Sequence, residues 1–213
     1  MLNSPTPRRI HVALFISAIA LLVWSGIQPR DRLTWLLEVW PVAIGGAVLV
    51  FTYRRFRLTN LAYYLIWLHA LVLILGGHWT YAEMPLFNWL RDVFDWQRNY
   101  YDRLGHVAQG FIPAILIREV LLRTSPLRSG KWLFVLTLAF VLAISATYEL
   151  LEWAAALALG QGADQFLGTQ GDPWDTQWDM FLALVGAIAS LVLLSGVHDR
   201  ALIQEKLAPP SSP

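Results

Sequence analysis

The chain of 213 residues contains no cysteine, which excludes disulfides, thiolate metal sites and cysteine nucleophiles. It is also poor in charge. Only 15% of its residues are charged, against about 25% in an ordinary soluble domain. The net charge of +1 lacks the basic excess of a nucleic-acid-binding surface. No Walker loop, H-E-x-x-H helix or nucleophile motif occurs. No internal repeat is visible, which disfavours an inverted-repeat transporter. What the chain does have is apolar residues, 56% of the total, including 11 tryptophans. That composition excludes a disordered chain and a soluble domain, and leaves an integral membrane protein.

A transmembrane helix needs roughly 20 mostly apolar residues, and six such runs are present: Ile10–Ile27, Thr34–Tyr53, Leu58–Gly77, Gly105–Leu122, Trp132–Glu152 and Asp179–Val197. Runs such as Ala139–Ala146 show no alternation, which argues against β-barrel strands. The expected fold is all-α, a polytopic helical membrane bundle forming one domain over residues 1–200. A short cytoplasmic tail, 201–213, should follow it, and its Pro/Ser-rich end, Ala208–Pro213, should be disordered. The first run follows Arg8 and Arg9 and could be read as a signal peptide. It is long for one and lacks an A-x-A-type cleavage site near Gly26, so an uncleaved span is expected.

Basic residues set the orientation. With the N-terminus inside, 11 fall on the cytoplasmic side: Arg8, Arg9, Arg54, Arg55, Arg57, Arg118, Arg123, Arg128, Lys131, Arg200 and Lys206. Only 5 fall outside: Arg30, Arg32, Arg91, Arg98 and Arg103. Both termini are therefore expected in the cytoplasm. Trp24, Trp35, Trp79, Trp153, Trp174 and Trp178 would form an outer aromatic belt. The segment Pro85–Tyr100 is amphipathic on a helical wheel and should lie in the interface plane, against lipid or over the ends of the spans.

Ionisable groups at membrane depth are costly and need a reason. Glu149 and Glu152 lie 18 and 21 residues beyond Lys131. Asp102 and His106 precede Arg123 by 21 and 17 residues, Asp179 precedes Arg200 by 21, and His78 follows Arg57 by 21. Four spans thus carry His or carboxylate groups to one outer level. Asp102 and His106 are spaced i, i+4, Glu149 and Glu152 i, i+3, and Asp172, Asp175 and Asp179 would form a single stripe if a helix begins there. Oxygen-rich sets with one or two histidines suit a divalent cation. The candidate ligands are Asp102, His106, Glu149, Glu152 and Asp179, with His78 and Asp172 behind them.

Each residue also has a plainer reading. Asp172 would N-cap a helix with Pro173 at its first position, and Asp175 would then favour the helix dipole. Asp102, Glu149 and Glu152 could pair with Arg98 or Arg103. His106 could be a satisfied buried imidazole, and His78 an interfacial one.

The same residues carry a resemblance. The segments are His78–Pro85 (HWTYAEMP), Arg98–His106 (RNYYDRLGH), Tyr148–Trp153 (YELLEW) and Phe166–Met180 (FLGTQGDPWDTQWDM). Together they resemble the YjdF-like family of bacterial inner-membrane proteins, a domain of unknown function. The resemblance covers about Ile10 to Ser195 and implies a multi-pass inner-membrane location but no reaction. Three functions fit: a metal-dependent enzyme acting on a lipid-like substrate, with Asp175 or Glu83 as general base; an ion-binding or transport protein; and a non-catalytic accessory protein. The bilayer is the expected partner, no nucleic acid is expected, and protein partners are left open.

Overall fold

The computed structural model describes residues 7–159 and 169–207, and among these it contains seven helices and no strand. They are α1 (Pro7–Ser25), α2 (Arg32–Thr52), α3 (Asn60–Trp79), α4 (Pro85–Phe94), α5 (Tyr101–Thr124), α6 (Lys131–Leu159) and α7 (Asp175–Gln204). Five of them, α2, α3, α5, α6 and α7, are long and apolar enough to cross a bilayer. The apolar stretch of α1, Arg9–Ser25, is shorter than the other five. Of the expected tail, residues 208–213 lie outside the described residues.

Local chemistry fixes the boundaries. The Asp31 carboxylate accepts from the Thr34 amide (2.7 Å) and opens α2, while Thr59 does the same for α3 through the Ala62 amide (3.3 Å). Such side-chain acceptors satisfy amides that the helix itself leaves without partners. Thr80 and Tyr81 then turn the chain with left-handed φ of 58° and 50°. That is an uncommon conformation for a bulky residue, one found where surrounding packing over-determines it. Here the Tyr81 ring fills the space above Gly76 and Gly105, where added methyl groups would meet it.

Two expectations are corrected. The amphipathic helix ends at Phe94 rather than Tyr100, because Asp95 is left-handed (φ 53°) and closes it. Its Leu86, Trp89, Val93 and Phe94 are exposed, as an interfacial helix requires. Asp172 does not cap α7. The helix starts at Asp175, and the Asp172 carboxylate instead accepts from the Trp174 amide (2.9 Å) in the preceding turn. α7 runs to Gln204, and near its end Leu202 is buried with Leu122 and Leu133.

The tightest pair is α5 against α7. A methyl added to Gly110 would overlap the Ala183 carbonyl, and one on Gly186 the Val107 carbonyl. The two backbones therefore approach closely where small residues face each other, the usual basis of helix packing in lipid. Gly45 differs, with nothing within 4 Å of an added methyl.

Candidate functional site: a His/carboxylate cluster above a cavity

Gly110 lies one helical turn after His106, and Ala183 one turn after Asp179. The close approach of α5 and α7 thus delivers both side chains to one point. His106 Nε2 is 3.4 Å from Asp102 Oδ1 and 3.6 Å from Asp179 Oδ1. These three residues form the one group, among the described residues, whose ligand atoms could hold a metal ion. Glu149 of α6 reaches the other face of the imidazole, with Oε1 4.0 Å from Nδ1.

The imidazole geometry carries information. Gln109 Oε1 lies 3.1 Å from His106 Nδ1, and an amide oxygen only accepts, so Nδ1 holds a proton. A neutral ring would then turn the Nε2 lone pair toward two carboxylates. That is repulsive unless Nε2 is also protonated or a cation lies between them.

Arginines occupy the upper part of the cluster. Arg103 pairs with Asp172 (3.0 Å), with Asp175 (2.6 Å) and with Asp179. Arg98 pairs with Asp175 (2.8 Å), and lies 3.6 Å from Asp172 and 3.7 Å from Asp102. Asp175 is therefore held by two guanidiniums, which removes it as a free base. Asp102 Oδ2 and Glu149 Oε1 are buried without a hydrogen-bond partner.

Two candidates lie elsewhere. Glu83 forms an exposed pair with Arg30 (2.6 Å). His78 Nδ1 donates to the Ser25 carbonyl (2.8 Å) and its ring stacks on Trp24, tying α3 to α1. Neither contributes to the wall of the cavity beside the cluster.

That cavity, about 390 Å³, lies among α2, α3, α5 and α6. Its polar wall comprises Glu38, Tyr81, Asp102, His106, Tyr148 and Glu152, with His69 and Gln109 deeper. Trp40, Phe140, Ile144 and Leu151 line it too, and all four are exposed on the flank of the bundle. The cavity therefore opens sideways at membrane depth. Tyr148 Oη donates across it to Glu38 Oε2 (3.3 Å).

A family model described as "Predicted membrane protein (DUF2238)" matches residues 10–200. The chain belongs to this family. It is 50% identical to the Inner membrane protein YjdF of Escherichia coli (strain K12) over 182 residues, 85% of this chain and 87% of that one. No solved structure matches. Family membership and the apolar helices make this a multi-pass inner-membrane protein, and neither supplies a reaction.

The family match is silent on Glu38, which the sequence reading missed. Glu38 is buried in α2 and sits 16 residues before Arg54, so the depth count used for the other spans would have placed it at the same level. A second polar network was also missed, at the far end of α5 and α7. Glu119 there accepts from Arg123 (2.6 Å), from the Thr59 hydroxyl (2.7 Å) and amide (3.0 Å), and from His198 Nε2 (3.0 Å). Arg118 donates to His198 Nδ1 (2.8 Å) and Asp199 (2.6 Å). The donation to Nδ1 fixes His198 as the Nε2–H tautomer, so it is the donor to Glu119.

Proposed function

We propose that the protein binds a divalent cation through Asp102, His106 and Asp179 and uses it on the polar head of a lipid-like molecule in the adjoining cavity. The observation that carries this reading is the convergence of His106 Nε2 with one oxygen each of Asp102 and Asp179, in the wall of a laterally open cavity. Ligand atoms about 2.1 Å from one ion stand roughly 3.0–3.4 Å apart at octahedral to tetrahedral angles. The separations here are 3.4 and 3.6 Å. Gln109 would act from behind the ring, holding the metal-binding tautomer. The cation would polarise an ester or phosphoryl oxygen, or acidify a bound water. Glu152, in the same wall, would serve as general base in place of Asp175 and Glu83. In the orientation favoured by the basic residues, the site faces the outer leaflet.

Transport has less support. Below Gln109 the buried side chains of α6 and α7 and the facing part of α5 are mainly apolar (Ala114, Val141, Ala183, Ala187 and Leu191), with the hydroxyls of Thr137, Ser145 and Ser190 among them, a sparse and uncharged lining for an ion.

Elemental analysis of the purified protein tests the site. Wild type should carry a stoichiometric divalent metal that His106→Gln and Asp179→Asn lose, while Glu83→Gln and His78→Gln keep it. Metal absent from well-folded wild type overturns the reading. Lipid turnover against ion flux in liposomes then separates enzyme from transporter.

A further inference from the structure

A second and larger cavity, about 590 Å³, lies between α1 and α2 with α3 and α5 as its floor. Its mouth is formed by exposed Val12, Phe15, Ile19 and Val50, and its floor reaches buried Ala70 and Ile112. Gly45 and Gly46 contribute no side chains to its α2 wall, which leaves room between Val42 and Leu49. An apolar slot of this kind holds no water, so in a bilayer hydrocarbon fills it. A helix roughly 10 Å wide occupies some 400 Å³ per turn. The slot would therefore admit little more than one turn of a partner helix, whereas a thin alkyl chain can thread it.

The slot is not isolated. Pro41, His69 and Leu73 line both it and the acidic cavity, so the two spaces share a wall. The other ring nitrogens there are engaged: His11 by Tyr53 (2.8 Å) and Asn60 (2.7 Å), and Trp67 by Ser17 (2.9 Å). His69 Nε2 is buried without a hydrogen-bond partner. A buried polar atom left unmatched is destabilising, and this one stands at the junction of a polar space and an apolar one.

We infer that one amphiphile occupies both spaces. Its head lies in the acidic cavity, its hydrocarbon tail in the α1–α2 slot, and a polar atom of its linker hydrogen-bonds His69. This inference rests on the proposed metal site for the head and adds the tail site, with chain length as the specificity it confers.

Calorimetric titration of the metal-loaded protein in detergent with alkyl phosphates, from butyl to hexadecyl, tests it. Affinity should rise roughly fourfold per methylene until the slot is full. Gly45→Leu and Gly46→Leu, which put side chains into the slot without a backbone clash, should weaken hexadecyl phosphate at least tenfold and leave butyl phosphate and metal content unchanged. Micelle partitioning is common to wild type and variants and cancels. His69→Phe should weaken the long-chain ligands, and His69→Gln should restore them. Equal loss of butyl and hexadecyl phosphate in the glycine variants, or no loss of either, overturns the tail site. Missing metal with an intact chain-length effect would instead remove the metal reading and leave the slot.

Discussion

The two ends of the α5–α7 pair are built from similar residue types and solve opposite problems. At the far end one buried carboxylate, Glu119, meets Arg123, His198 and both donors of Thr59, and Arg118 is matched by Asp199. At the other end seven carboxylates (Glu38, Asp102, Glu149, Glu152, Asp172, Asp175 and Asp179) face two guanidiniums, Arg98 and Arg103, with buried oxygens unmatched on Asp102 and Glu149. A network whose members are all satisfied rigidifies, whereas one with surplus charge of one sign stores repulsion. The Glu119 end is a latch. The acidic end is arranged to receive positive charge.

The largest expected effect breaks the latch. Glu119→Ala leaves His198 buried without its acceptor and leaves the partly buried Arg123 with only the Arg57 carbonyl (2.7 Å), and breaking a buried charged network costs about 3–5 kcal/mol. Unfolding of the purified protein in mild detergent should show this loss, with metal content in the surviving folded fraction unchanged. A small shift would mean that water or lipid already screens Glu119.

Adding the cation is the next largest. A ligand that binds only the folded state at a hundredfold excess over its Kd stabilises by about 2.7 kcal/mol. The unfolding midpoint should rise on titration with the bound metal and stay constant in Asp179→Asn. A rise retained in that variant would place the ion elsewhere.

Gly110→Ala sharpens the comparison because it touches neither network. The added methyl meets the Ala183 carbonyl, and overpacking of this kind costs about 1–3 kcal/mol. By parting α5 from α7 it should also weaken metal binding, although no ligand is altered. Metal affinity equal to wild type would show that the glycine contact does not set the site's geometry.

How much of this was legible in the sequence differs between the two ends. The spans could be read because apolar runs of membrane length have few alternatives, and depth counting then brought Asp102, His106, Glu149 and Asp179 to one level. Lateral placement was not legible. His78 shares that depth, yet α3 turns its ring toward Ser25 and Trp24. Glu83 is close in sequence but is held by Arg30. The Asp172-Pro173 pair looked like a helix start, yet the Arg98 and Arg103 side chains draw Asp172 into the turn before α7. The Glu119 latch escaped because its residues read as ordinary membrane-flanking charge, and only tertiary packing shows that Glu119 and His198 are fully buried.

The smallest expected effect distinguishes stored repulsion from mere proximity. Glu149 and Glu152 are one turn apart on α6, and Glu152 shares its cavity wall with Glu38 and Asp102. Like charges at helical spacing destabilise by roughly 0.2–0.5 kcal/mol even in water. Glu152→Gln should therefore stabilise the metal-stripped protein by about 0.5 kcal/mol, read as a higher unfolding midpoint, an uncommon sign for a change at a partly buried position. In the metal-loaded protein the gain should shrink, because the cation already offsets the surplus charge. A variant less stable than wild type in the stripped state would mean that Glu152 is held by a favourable partner, and the contrast between the two ends would then rest on the Asp102, His106 and Asp179 group alone.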